Sequence, residues 1–100
     1  MDLNEEIRKI IKIKDYMLLN SLFDEYHPVD IALEAEDLED EDLETFVSLV
    51  SHDNMALLFE SAEDDLSARM MAYFTDDDLI EIFAHMETSI VADLLGVLST

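Results

Sequence analysis

Apolar residues recur along this chain at helical spacing, and one stretch of the pattern repeats every 24 residues. Met55, Phe59, Ala62, Leu66, Met70, Met71 and Phe74 return as Leu79, Phe83, Met86, Ile90, Leu94, Leu95 and Leu98. A fainter earlier copy runs through Ile31, Ala35, Leu38, Phe46, Val47 and Val50. Each copy holds two short amphipathic helices. One such copy cannot bury its apolar face alone, so it must stack on its neighbours. No stretch sustains the period-two alternation of a strand. The pattern therefore predicts an all-α fold of stacked helical repeats. Stacked repeats usually serve as interaction surfaces, which points away from catalysis.

The elements follow in order. Leu3, Ile7, Ile10 and Ile11 give a first helix from Leu3 to Ile13. Asp15 suits the N-cap of a second, with Leu18, Leu19, Leu22, Phe23 and Tyr26 as its buried stripe. His27-Pro28 ends that helix, and Pro28 suits the first turn of the next, predicted over Val29 to Leu38. A fourth helix carries Leu43, Phe46, Val47, Leu49 and Val50. Ser51 or Asp53 caps a fifth, which holds Met55, Leu58, Phe59 and Ala62. A sixth is predicted from Glu63 to Phe74. Thr75 caps a seventh, with Asp76, Asp77 and Asp78 in its first turn, where the helix dipole favours negative charge. The last is predicted from Thr88 to Leu98. Residues 1–14 read as a basic N-terminal helix and residues 15–100 as the repeat region of a single domain. Helices this short are marginal alone, so packing must hold them.

Composition narrows the function. A chain of 100 residues forms one small domain that buries roughly two-thirds of its unfolded surface. Half of the residues are hydrophobic, which excludes a disordered acidic tail. One Gly and one Pro are too few for a turn-rich sandwich or barrel. With no Cys, disulfides and thiolate metal sites are excluded. The longest apolar runs are far shorter than a membrane span, so no direct membrane insertion is expected. The net charge is -21 at pH 7. That charge repels nucleic-acid phosphates and anionic headgroups, and it attracts divalent cations and basic proteins. Arg8, Lys9, Lys12 and Lys14 all lie in the first fourteen residues, and Arg69 is the one later basic residue. The basic face of the first helix is expected to lie against the acidic body rather than a separate acidic partner.

Candidate chemistry is sparse. The run Glu36, Asp37, Glu39, Asp40, Glu41, Asp42 and Glu44 offers the oxygen ligands that hard cations prefer. It lacks the central Gly and spacing of an EF-hand, so a solvated loop that caps the next helix explains it better. Capping likewise explains Asp76 to Asp78. His27, His52 and His85 lie 25 and 33 residues apart, and no zinc site is predicted from them. Met55, Met70, Met71 and Met86 occupy core slots of the repeat rather than an adaptable groove. No nucleophile elbow or P-loop occurs, so no enzyme is predicted.

From His27-Pro28-Val29-Asp30-Ile31-Ala32 onward the chain resembles the cytoplasmic N-terminal domain of MgtE-type magnesium transporters. That family has a His-Pro-x-Asp-hydrophobic start followed by short helical repeats. Asp78 to Met86 is similar to its L-x-E-I-L-E-E-M helix, and Ile90-Val91-Ala92-Asp93-Leu94-Leu95 is similar to its A-A-D-L-L helix. The resemblance spans Asp15 to Ser99. It implies a right-handed superhelix of short α-helices on the cytoplasmic side of a membrane. In the family this domain precedes a pair of CBS domains and a pore domain, in a homodimeric transporter. Mg²⁺ bridges acidic surfaces there, holds the pore closed, and releases the domain when it is scarce. Such a mechanism suits a surface of charge -21, because two acidic surfaces dock only with cations between them.

The chain departs from the family pattern in places. Leu57 stands where the family has an acidic ligand, and Ser89 stands at another ligand position. Asp93 matches a family ligand and is the one ligand the resemblance carries over directly, while Glu87 is close enough to Ser89 to be expected to compensate for it. Glu34 breaks an apolar slot filled by Leu58 and Ile82 in the other copies. The chain is thus expected to be an excised domain or a stand-alone relative that binds Mg²⁺ weakly by itself. The alternative expectation is a non-sensing acidic scaffold for a basic protein, similar to the short-helix repeats in the flagellar motor switch protein. An acidic decoy for nucleic-acid-binding proteins fits the charge but not the repeat.

Self-repulsion at this charge opposes the compact state. The melting temperature in low salt should therefore rise on adding NaCl or Mg²⁺, followed by circular dichroism. An unchanged midpoint would mean that repulsion does not limit stability.

Overall fold

The computed structural model describes residues 2–98, without the side chain of Leu98, so the core role expected of Leu98 lies outside the described residues. Among the described residues there are eight α-helices and no strand. They are α1 (Leu3–Ile13), α2 (Tyr16–Glu25), α3 (Pro28–Glu36), α4 (Asp40–Leu49), α5 (His52–Ser61), α6 (Asp64–Met71), α7 (Asp76–Phe83) and α8 (Thr88–Leu98). From α2 onward the helices begin at residues 16, 28, 40, 52, 64, 76 and 88, each twelve after the last. The 24-residue period is thus two units of twelve, each a helix with its turn.

Local chemistry sets these starts. The Asp15 side chain accepts the Leu18 N–H at 3.0 Å, and Ser51 accepts that of Asn54 at 3.3 Å. Thr75 and Asp78 form a reciprocal capping box at the head of α7. His27 caps α3 through Nδ1, which accepts the Val29 N–H at 3.1 Å, with Pro28 in the first turn. Glu39 and Glu63 make no side-chain capping bond, so α4 and α6 rely on acidic first turns against the helix dipole.

The helices stack in two rows. α3 packs on α5 and α5 on α7, while α2 packs on α4, α4 on α6 and α6 on α8. α3 also meets α6, which joins the rows. This arrangement is compatible with a superhelix. α1 lies outside the twelve-residue register and packs on α2, α3 and α4, adding Ile7, Ile10 and Ile11 to the core. Phe46, Leu43, Ile31, Met55, Leu58, Met70 and Ile82 are fully buried, and they come from α3 to α7. At the α1–α2 seam the Glu6 carboxylate, then burial, then Glu25, raise the Tyr26 phenol above its ordinary value of 10.0. Any stability from that phenol is complete below pH 10 and is lost as pH rises through the raised value.

Several expectations need correction. Leu18 is 47% exposed, because it lines the open groove at the α1–α2 seam while Leu19 and Leu22 are buried. Leu95 is 50% exposed although its counterpart Met71 is 4% exposed. Met71 lies in α6, between α4 and α8, whereas α8 has α6 alone as its row neighbour among the described residues. α6 stops at Met71, and Tyr73 and Phe74 close the chain in a tighter turn by bonding to the carbonyls of Met70 and Met71. The acidic run is only half a loop, since Asp40, Glu41 and Asp42 form the first turn of α4.

α3 ends at Glu36, short of Leu38, and two arginines grip the turn that follows. Arg69 donates to the carbonyls of Glu36 and Leu38, at 3.4 and 2.8 Å, and pairs with Asp40 at 3.1 Å. Arg8 donates to the Asp37 carbonyl at 3.3 Å and pairs with Asp42 at 3.6 Å. The Arg8 contacts bring α1 against the acidic body. Lys9, Lys12 and Lys14 are exposed and enter no ion pair among the described residues. A second lock joins α2 to the α4–α5 turn. Asn20 donates to the carbonyls of Tyr16 and Leu49 and accepts from the Ser51 N–H and the Asn54 amide.

Two neighbouring leucines test this packing. Leu58 is 0% exposed and Leu57 is 39% exposed. Leu58→Ala should cost about 3 kcal/mol in urea unfolding, and Leu57→Ala about 0.5 kcal/mol or less. Arg69→Met should cost about 1–3 kcal/mol by leaving carbonyls of the α3–α4 turn unpaired. Amide exchange should then accelerate first between residues 37 and 43, and uniform exchange across the chain would argue against a local clamp.

Candidate functional site

The two metal ligands suggested by the sequence both lie on the last helix. The Glu87 carbonyl accepts the N–H groups of Ile90 and Val91, each at 3.1 Å, so Glu87 sits at the N-cap position of α8. Asp93 follows six residues later. On an α-helix that is about 9 Å of rise and about 240° of rotation, so the two carboxylates leave different sides of α8. Both are exposed. Ser89 and Leu57, at the positions where acidic residues were sought, are exposed as well. With Asp76 to Asp78 in the first turn of α7, this end of the stack presents carboxylates and almost no cations.

The structure also brings together residues that the sequence does not pair. Between α5 and α7 the His52 imidazole lies with Nδ1 2.8 Å from Glu81 and Nε2 3.9 Å from Asp78. These three residues each offer a ligand atom within 4.8 Å of the others. Beside them Asp53 meets His85 at 3.1 Å. His52 and Asp53 of α5 thus face Asp78 and Glu81 of α7 and His85 of the turn after it. The 24-residue register marks α5 and α7 as neighbours in one row. It carries no information on their offset along the row, and that offset decides which side chains meet.

A notch opens where the two rows meet. Glu44, Ser48, His52, Tyr73 and Asp78 line it. A second, more apolar groove follows the α1–α2 seam, lined by Lys9, Ile10, Ile13, Leu18, Leu22 and Glu25. No helix among the described residues is long and apolar enough to cross a membrane. The chemistry on offer is therefore cation binding and docking, built from carboxylates and two histidine–carboxylate groups, one of them half-buried.

No curated protein and no solved structure matches the chain. A family model described as the MgtE intracellular N domain matches residues 26–100. The matched span starts at the Tyr26 cap and takes in α3 to α8, and leaves out α1 and α2. Three quarters of the chain carry the pattern of this family, which is one of transporter domains rather than enzymes, and the protein belongs to it as an intracellular N-terminal domain of MgtE-type magnesium transporters.

Proposed function

We propose that this is a regulatory Mg²⁺-sensing domain that docks on the CBS domains of its own transporter and thereby controls the pore. Family membership carries the reading, because it joins the domain to a Mg²⁺ pathway. The charge of -21 supports it. An acidic surface approaches another acidic surface only when cations screen or bridge the gap, so docking becomes a function of Mg²⁺ concentration. The domain works on the cytoplasmic side of the membrane, within a homodimeric transporter.

Asp93 and Glu87 are the proposed contributors to the Mg²⁺-bridged surface. Their exposed oxygens fit a hard cation that keeps much of its water. On separate sides of α8 they contribute one ligand each, and the CBS surface supplies the rest. Binding to the isolated domain is accordingly weak. The second reading is a non-sensing acidic scaffold for a basic protein, and the bare carboxylate surface serves it equally well.

Mg²⁺ titrated at constant ionic strength into the labelled domain, with the CBS region of the same transporter present, should give saturable amide shifts around Glu87 and Asp93. Asp93→Asn should weaken Mg²⁺-dependent docking several-fold and leave the melting temperature in place. Shifts that NaCl reproduces, with a basic partner that stays bound in high salt, would support the scaffold instead.

A further inference from the structure

We propose that His52 and Asp78 form a site for a transition-metal dication of the Zn²⁺ class, set between α5 and α7 and independent of the Mg²⁺ surface on α8. His52 opens α5, and Asp78 lies in the first turn of α7. Each is held by the atom that faces away from the other. Glu81 lies 2.8 Å from His52 Nδ1. A carboxylate only accepts, so Nδ1 carries a proton, and metal binding then uses the lone pair of Nε2. Asp78 Oδ2 accepts the Thr75 N–H at 3.4 Å in the capping box, which leaves Oδ1 toward the imidazole.

Nε2 and Oδ1 are 3.9 Å apart, too far for a hydrogen bond. The two donors are near enough for one cation to draw on both. Tetrahedral zinc with bonds of about 2.0–2.2 Å holds nitrogen and oxygen about 3.4 Å apart, so a small side-chain movement lets one ion take both. The adjacent pair is the contrast. His85 and Asp53 already meet in hydrogen-bond contact at 3.1 Å, and no third His or carboxylate donor stands beside them among the described residues. Glu44 and Ser48 line the same open notch as His52 and Asp78, so water has room to complete the shell.

The donors choose the ion. Mg²⁺ demands an oxygen octahedron and gives up water reluctantly, whereas imidazole suits Zn²⁺, Co²⁺ and Ni²⁺. A carboxylate on the far ring nitrogen is the arrangement that fixes the tautomer and raises the basicity of metal-binding histidines. Glu81 is thus a positioning residue here. The acidic field of the domain raises the local concentration of any dication.

The test is ZnCl₂ titrated near neutral pH into the whole chain, with Mg²⁺ in large excess to occupy oxygen-only sites. Calorimetry gives the affinity, and nitrogen NMR of the three imidazoles identifies the ligand. A single saturable site should move the Nε2 signal of His52 and leave His27 and His85 in place. Co²⁺ should give visible d–d bands. Asp78→Asn should weaken binding by about tenfold or more, Glu81→Ala by about tenfold, and His85→Gln not at all. Joint movement of all three rings, wild-type affinity in Asp78→Asn, or loss of binding in Mg²⁺ would each overturn the site. The ring signals are read in the unmodified chain, so a variant that fails to fold does not blunt the test. Failure leaves the Mg²⁺ reading intact, because Mg²⁺ is present throughout and its proposed ligands lie on another helix.

Discussion

Every helix in this chain depends on the one two places along. Helices of 8 to 11 residues do not hold themselves together in water. Each persists because its apolar face is closed by a neighbour in its own row and by the facing row. Leu58 and Phe59 of α5, for example, come from the helix that α3 and α7 both touch. Stability is accordingly a chain of nearest-neighbour terms rather than one central knot. The interior members are best protected, and the outermost helix shows what an unmatched face looks like in the exposure of Leu95.

Electrostatics act on the same scaffold with the opposite sign. Twenty-six carboxylates and five basic side chains share a small body, so almost every acidic group faces only others of its kind. The two arginines that reach inward are used on backbone carbonyls as much as on carboxylates. Arg8 and Arg69 close the α3–α4 turn from opposite sides, with no intrahelical partner available there for the last carbonyls of α3. Neutral amide chemistry does the equivalent work at Asn20. The fold thus places its two arginines on its most acidic turn and leaves Asp76, Asp77, Glu87 and Asp93 exposed. That exposure is what a cation-dependent docking surface requires.

Much of this was readable in the residues, for identifiable reasons. Helix starts were legible at Asp15, His27-Pro28, Ser51 and Thr75 because capping is local chemistry. The core slots of the interior copies were legible because periodicity of 3.6 needs no tertiary information. Helix ends were less so. α3 and α6 each finish short of their apolar pattern, where turn carbonyls find partners other than the next turn of helix. Leu18 and Leu95 fit the helical stripe yet stay exposed, since burial depends on which neighbours a helix has. The Arg69 clamp and the His52 cluster join residues 29 to 33 positions apart or lie across α5 and α7, and only the offset of stacked helices brings them into contact. The role proposed for Asp93 came from resemblance and that for Glu87 from its closeness to Ser89 in the sequence, and neither rests on helical periodicity.

The twelve-residue beat has a consequence for how such domains change length. Successive helices alternate between the two rows, so a segment of twelve residues gained or lost moves everything beyond it to the opposite row. The carboxylates of α7 and α8 would then trade sides. A segment of twenty-four adds or removes one complete layer and returns every later turn to its original side, displaced only along the stack. Relatives of this domain can therefore grow or shrink by whole layers while their outward faces keep their identity, whereas a single extra helix would turn the far half of the molecule over.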